Sequence, residues 1–285
     1  MALTKTDFPA IRACIFDMDG LLINTEDIIT ASTNLILKKY NRPPLTPSLR
    51  TRLMGIPDST NSDLFHAWAQ LPISRAQYSS EQSAETHRTF PSCTPMPGAA
   101  TLLRNLSQAR SISTGEKIEL ALASSTKKVT FELKTQREEI KSLLGVFREE
   151  RRVLGDDERV RKGRGKPAPD IYLVALEALN SSLVKSAEQE EGDKEPIMPN
   201  ECLVFEDSIV GVEAGRRAGM RVVWVPHVEL VDEYRGMWGE ILAGRTGMVK
   251  IGNEEQLGEV GDRWAESIGS LEEFDYEKYG IEVAS

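Results

Sequence analysis

Two carboxylates stand at the end of a short apolar run near the start of the chain. Residues 13–16 are Ala-Cys-Ile-Phe, which predicts a buried strand. Asp17 follows directly. After one intervening residue come Asp19 and Gly20. Two like charges about 4 Å apart repel by roughly 4 kcal/mol at an effective dielectric constant near 20. We therefore expect this pair to bind a metal ion or to hold one carboxyl group protonated.

A second acidic pair also follows an apolar run. Residues 202–205 are Cys-Leu-Val-Phe, and Glu206 and Asp207 come directly after them. Short apolar runs alternate with helical stretches along most of the chain, which predicts an α/β protein with a doubly wound parallel sheet, a Rossmann-like core. In such a sheet the chemistry lies beyond the carboxyl ends of the strands. We therefore expect the two acidic pairs to meet at one edge.

Hydroxyl groups follow another predicted strand, and one lysine directly precedes a predicted helix. Residues 118–123 predict a second strand, and a Ser-Ser-Thr segment that begins with Ser124 and Ser125 follows it. Such hydroxyls bind phosphate together with backbone N–H groups or simply cap the next helix, and the spacing leaves both open. Lys166 directly precedes Pro167 and is one of four basic residues within six positions. The other three predict a solvated basic loop, whereas a lysine near two carboxylates offsets their repulsion.

The segment between the first strand and Pro95 shows helical spacing without an alternating strand pattern. This arrangement predicts an all-helical cap domain at 24–95, inserted into a catalytic core formed by 1–23 and 96–285. Later in the chain, a helix over 170–179 is expected to be followed by an exposed loop that includes 188–195. The polar stretch after Pro226 predicts an irregular tail that docks on the core.

Composition limits the range of partners. The chain has 285 residues, of which 40% are hydrophobic and 28% charged, and a formal net charge of −9. Nonspecific nucleic-acid binding is unfavourable at that charge, and no apolar run reaches membrane-spanning length. The first nine residues lack the apolar core of a signal peptide, and the three cysteines lack zinc-site spacing. These features predict a cytoplasmic protein with no nucleic-acid or membrane partner. We expect a monomer, although none of these features determines the oligomeric state.

The sequence resembles the haloacid dehalogenase-like hydrolases. The resemblance rests on Asp-Met-Asp-Gly after the first strand, a serine after the second, Gly-Lys-Pro before a helix, and Cys-Leu-Val-Phe-Glu-Asp near residue 205. These four motifs occur in the family's order and lie within 11–226. The resemblance implies a capped phosphatase, because the family's dehalogenases lack the second aspartate of the first motif. Hard oxygen ligands also favour Mg²⁺ over zinc or copper.

The resemblance also implies a role for each matching residue. Asp17 would be the nucleophile and Asp19 the general acid and base. Ser124 and Lys166 would bind the substrate phosphate, with a contribution from Ser125. The expected metal ligands are Asp17, the Asp19 backbone carbonyl, Glu206 and Asp207, with Glu206 binding directly or through water. Two departures from the family pattern are Asn24, where relatives usually carry Asp, and the enlarged basic loop at 161–164.

Several substrates fit this resemblance. The expected partner is a small phosphorylated metabolite, either a nucleoside 5′-phosphate such as pseudouridine 5′-phosphate or a sugar phosphate. The alternatives are a β-phosphoglucomutase-like phosphotransferase and a catalytically silent metabolite-binding protein on the same fold. The silent alternative is disfavoured because such proteins usually lose a strand-end acid, and all of them are present here. Substrate choice is expected to lie in the cap, where Met54 and Gly55 occupy the position that faces substrate in relatives.

Overall fold

The structure is a computed structural model that describes residues 8–54, 58–190, 195–250 and 257–283, and no side chain is described at 58–62 or 185–190. Gly55, one of the two expected cap residues, lies outside the described residues. The described strands are β1 (Ala13–Phe16), β2 (Arg110–Ser111), β3 (Glu119–Ala123), β4 (Arg152–Val153), β5 (Cys202–Glu206), β6 (Arg221–Trp224), β7 (Ala265–Ser267) and β8 (Ile281–Glu282).

Six of these strands form one parallel sheet in the order β4-β3-β1-β5-β6-β7. β1 lies at the centre between β3 and β5, and every residue of β1 is buried. A strand that is covered by helices on both faces needs apolar residues at successive positions, and this explains the uninterrupted run in β1. The predicted α/β fold with a doubly wound parallel sheet is confirmed.

The sheet is fixed by packing on both faces. Phe16 is paired in register with Phe205, and their rings stack with centroids 4.5 Å apart. On the opposite face, Ile15 and Val204 pack in a second cluster that includes Trp224. Because β1 and β5 are held side by side in register, the residues that follow them are brought to the same edge of the sheet.

Helices surround the sheet and fill the predicted cap segment. Those before residue 95 are α1 (Thr25–Lys39), α2 (Pro47–Leu53), α3 (Asp58–Ala69) and α4 (Arg75–Thr89). The later ones are α5 (Ala99–Gln108), α6 (Lys128–Lys134), α7 (Glu138–Leu144), α8 (Asp170–Glu190), α9 (Ile209–Arg217), α10 (Val228–Glu233) and α11 (Trp238–Ala243). None of the helices within the described ranges is long and apolar enough to cross a membrane.

Helices α1 to α4 share a hydrophobic cluster of their own, with Leu37, Phe65 and Tyr78 at its centre. The two connections between this cluster and the sheet run side by side. The Asn24 N–H donates to the Thr94 carbonyl oxygen at 3.1 Å, and the Thr94 N–H donates to Asn24 Oδ1 at 2.8 Å. Asn24 therefore supplies the acceptor that an aspartate would supply. These contacts agree with a cap at 24–95, whose boundaries stay a prediction.

Three sequence expectations need correction. α8 continues to Glu190 and does not end at residue 179, because the chain from 180 to 190 contains helix-forming residues and no Gly or Pro. The basic loop is not simply solvated, since Arg161 and Arg164 both bind the buried carboxylate of Asp170 at distances of 2.7 and 2.9 Å. The chain after Pro226 is more regular than expected, because it forms α10, α11, β7 and β8.

Candidate active site

The first acidic residue lies where β1 ends and is almost fully buried. Asp17 is 6% exposed, and its N–H donates to the Phe205 carbonyl oxygen, which continues the pairing between β1 and β5. Lys166 Nζ lies 2.5 Å from Asp17 Oδ1. The lysine is itself 4% exposed, so both charges of this ion pair are withdrawn from water. The predicted contact between Lys166 and the first motif is therefore present.

The second acidic pair meets the first at the same edge of the sheet. Asp17, Glu206 and Asp207 each offer a carboxylate oxygen, and these oxygens all lie within 4.8 Å of one another. All three side chains are buried. Gly20 allows this close approach, since it has φ +76° and a Cβ there would lie 2.2 Å from Asp207 Oδ2. The strand-end carboxylates thus surround a space that a larger residue at position 20 would close.

Glu206 differs from its neighbour because hydrogen bonds occupy both of its oxygens. Oε1 accepts from Lys166 Nζ at 2.6 Å and from the Tyr172 hydroxyl at 2.7 Å. Oε2 accepts from the N–H groups of Asp207 and Ser208 and from the Ser208 hydroxyl, each at 3.0 Å. A Cβ at Gly211 would lie 1.8 Å from Oε1, so α9 needs glycine there. Glu206 is built to hold Lys166, and this arrangement favours contact with a metal through water.

The electrostatics of the group favour a divalent cation. Burial raises the pKa of Asp17 from 3.8 to about 7, although Lys166 acts in the opposite direction. Burial, together with Glu206 and Asp17, raises the pKa of Asp207 well above its ordinary value. One ammonium group faces three buried carboxylates, which leaves uncompensated negative charge. The donor set is composed of oxygen atoms, as Mg²⁺ requires, so the residues present fit the expected ion.

Asp19 lies in a separate set of contacts beside this group. Its Oδ2 accepts from the Thr126 hydroxyl at 2.5 Å and from the Ser124 hydroxyl at 3.3 Å. Its Oδ1 accepts from Lys134 Nζ at 2.6 Å. Burial raises the pKa of Asp19, but Lys134 and the hydroxyl donors outweigh burial and lower it below the ordinary value.

The two serines predicted to bind phosphate differ in position. Ser124 is fully buried and contacts Asp19, whereas Ser125 is exposed, and its carbonyl lies close to Gly155. Sequence reasoning missed Thr126 and Lys134. Thr126 was within reach, because it belongs to the same hydroxyl-rich segment. Lys134 gives a weaker signal, because it is one of three charged residues in the short helix α6.

Glu26 is another residue that the sequence did not single out. It lies in the first turn of α1, and a Cβ at Gly20 would lie 3.1 Å from its Cγ. Burial and the nearby Asp19 raise its pKa to about 7. Glu26 also lines a cavity of about 400 Å³ formed by residues of the cap segment. The cavity therefore begins beside the strand-end carboxylates.

Comparison with known proteins decides the family. The haloacid dehalogenase-like hydrolase model matches residues 14–225, which include all four motifs. The chain belongs to this family. A Saccharomyces cerevisiae protein named "Probable pseudouridine-5′-phosphatase" is 34% identical over 273 residues, covering 95% of this chain and 98% of that protein. That name agrees with the sequence, since this chain also resembles pseudouridine-5′-phosphatases in the segments 16–22, 154–157 and 202–207.

Two further members of the family extend the comparison. The Arabidopsis thaliana protein named "(DL)-glycerol-3-phosphatase 1, mitochondrial" is 35% identical over 246 residues, which cover 85% of this chain and 73% of that protein. The solved structure of a HAD hydrolase of family IA from Entamoeba histolytica has a TM-score of 0.62 and 20% identity, and covers 95% of this chain and 98% of that one. The similarity to the Entamoeba histolytica structure supports the α/β fold of this chain. The names of the two relatives agree with a phosphoric monoester hydrolase.

Proposed function

We propose that the protein is a magnesium-dependent phosphatase that hydrolyses a small phosphate monoester through an aspartyl-phosphate intermediate. The observation that carries this proposal is the meeting of Asp17, Asp207 and Lys166 at one edge of the sheet. A nucleophilic carboxylate can approach an anionic ester only where positive charge offsets their repulsion. The cytoplasmic location and the monomeric state remain predictions.

The first half of the reaction transfers the phosphoryl group to the protein. Lys166 holds Asp17 Oδ1, and we assign the other oxygen, Oδ2, to attack phosphorus. As that bond forms, the bond from phosphorus to the ester oxygen breaks. Asp19 gives a proton to the departing alkoxide, so it must hold that proton at this step although its pKa is lowered in the free site. Lys166 and Ser124 would contact phosphoryl oxygens. Magnesium held by Asp17, the Asp19 backbone carbonyl and Asp207 would neutralise charge on those oxygens when bound.

The second half releases phosphate. Asp19, now a carboxylate, takes a proton from water as the water oxygen attacks phosphorus. The bond between phosphorus and Asp17 breaks, and inorganic phosphate leaves with Asp17 restored as a carboxylate. Asp19 ends the cycle protonated, so the same group serves as acid and then as base.

The cap cavity favours a leaving group larger than glycerol. Its volume of about 400 Å³ falls within the range of sites for small organic ligands. The aromatic side chains of Phe65, His66 and Tyr78 are in its wall, and Thr30 and Gln82 add polar groups. Aromatic rings beside polar groups suit a planar base on a sugar. We therefore propose a nucleoside 5′-phosphate, with pseudouridine 5′-phosphate as the first candidate.

A phosphate-release assay tests this function directly. The substrates are pseudouridine 5′-phosphate, uridine 5′-phosphate, glycerol 3-phosphate and a hexose 1-phosphate, each with Mg²⁺ and with a chelator. We expect release with Mg²⁺ only, and the highest kcat/KM for a nucleoside 5′-phosphate. Isomerisation of the hexose 1-phosphate without free phosphate would identify a mutase instead. Release from none of these or any other phosphorylated metabolites would favour a silent binding protein.

A substitution that fills the cavity tests the substrate assignment separately. Ser79 lines the cavity, and Ser79→Trp is expected to lower kcat/KM for the nucleoside 5′-phosphate by about tenfold or more while changing that for glycerol 3-phosphate much less. Ser80→Trp places the same ring at the next, exposed position of α4 and serves as the matched control. Equal effects of Ser79→Trp on both substrates would contradict the placement of the leaving group in this cavity.

A further inference from the structure

A second lysine lies beside the site, and the reaction described above gives it no role. Lys134 is at the end of α6, and its side chain is 5% exposed. Its Nζ lies 2.6 Å from Asp19 Oδ1, 2.8 Å from Thr126 Oγ1, and 4.7 Å from the centre of the Phe90 ring. A buried ammonium group is costly unless it is paired, so this lysine is placed to serve the carboxylate that it contacts.

The contacts of Asp19 fix the direction of its carboxylate. Lys134 holds one oxygen, while Thr126 and Ser124 donate to the other. Of these donors, Lys134 is the one that carries a charge, and charge-assisted hydrogen bonds are roughly twice as strong as neutral ones. A general acid must lie within hydrogen-bond reach of the leaving oxygen, and a misplacement of about 1 Å can cost on the order of 10²-fold in rate.

We propose that Lys134 is a positioning residue for the reaction, one that holds the Asp19 carboxyl group where it can protonate the leaving oxygen. This inference rests on the proposed function. It assigns different tasks to the two buried lysines. Lys166 contacts the nucleophile and would contact the phosphoryl group, whereas Lys134 acts through Asp19 alone. Lys134 should therefore matter most for substrates whose leaving group needs a proton.

The test compares leaving groups. An alkyl phosphate such as a nucleoside 5′-phosphate releases an alkoxide, which must be protonated, whereas 4-nitrophenyl phosphate releases a stable phenolate. The quantity to measure is kcat/KM, because it reports the first transfer and not the later hydrolysis of the intermediate. For Lys134→Met we expect kcat/KM to fall by about 10²-fold with the alkyl ester and by less than about threefold with the aryl ester.

Two further variants serve as a reference and a control for this measurement. Asp19→Asn removes the acid itself and should show the same preference for the aryl ester. Lys128→Met makes the same change at an exposed position of the same helix and should leave both esters unaffected. If Lys134 acts through Asp19, the double variant Lys134→Met with Asp19→Asn should be no slower with the alkyl ester than Asp19→Asn alone.

The outcomes separate this inference from the proposed function. If the wild-type protein releases phosphate from no phosphorylated metabolite, or if Asp19→Asn shows no preference, the proposed chemistry is wrong. If Asp19→Asn discriminates but Lys134→Met loses both esters equally, Lys134 has only a structural role and the inference is overturned. Should Lys134→Met not fold, Lys134→Gln keeps a hydrogen-bond donor without the charge. The same two esters are then compared with Lys134→Gln, which is expected to prefer the aryl ester, but less strongly than Asp19→Asn does.

Discussion

Asp17→Asn is expected to abolish phosphate release without unfolding the protein. The amide has the shape of the carboxylate but is a poor nucleophile, so activity should fall by on the order of 10⁴-fold or more. Stability should be unchanged or higher in metal-free protein, because the variant removes one of three buried carboxylates that repel one another. Lys166 keeps its contact with Glu206, so the variant leaves no buried ammonium unpaired.

The measurement combines turnover, thermal unfolding and chemical trapping. The wild-type protein is quenched during turnover and treated with borohydride, which reduces an acyl phosphate at Asp17 to the alcohol, so that mass spectrometry finds homoserine at position 17. The variant should give no such product. Asp232→Asn makes the same change at an exposed residue of α10 and should retain full activity. Full activity of Asp17→Asn with an unchanged melting temperature would show that the nucleophile has been wrongly assigned.

The sequence predicted that the acidic residues at the ends of two strands would lie close together, because this proximity follows from a parallel sheet. Asp17 and Asp207 each come after an apolar run, and a parallel sheet brings the ends of such strands to one edge. Their meeting within 4.8 Å is then a consequence of β1 lying beside β5. Lys166 was within reach for a related reason, since its position before a helix matches a motif and two carboxylates need a cation.

The residues that the sequence missed depend on how helices pack. Lys134 is eight positions beyond Thr126, and its contact with Asp19 depends on where the packing of α6 places the last residue of that helix. Tyr172 contacts Glu206 because α8 packs against the sheet, and a helical spacing rule gives its face but not its partner. Glu26 is an ordinary acidic residue in the first turn of a helix until the cap segment places it beside Asp19.

The second large effect concerns the metal and depends on pH. In the folded protein the pKa of Asp17 is raised from 3.8 to about 7, and that of Asp207 is also raised. A carboxyl group with a raised pKa destabilises the folded state once it must ionise, so metal-free protein should lose stability as pH rises from about 4 to about 7. Mg²⁺ that binds the ionised carboxylates would offset this loss. The increase in melting temperature on adding Mg²⁺ should therefore be larger at pH 8 than at pH 5.

Thermal unfolding and activity, each measured at both pH values with Mg²⁺ or a chelator, check this expectation. The chelator should reduce phosphate release to background, and Mg²⁺ should restore it. Asp207→Asn removes one proposed ligand and should lose both the activity and most of the Mg²⁺-induced rise in melting temperature, whereas Asp232→Asn should keep both. A melting temperature that is insensitive to Mg²⁺ at pH 8 would contradict the metal site. In that case the three buried carboxylates would have only the one ammonium group to offset their repulsion, and Asp17, with a pKa raised to about 7, would be only partly ionised as a nucleophile at neutral pH.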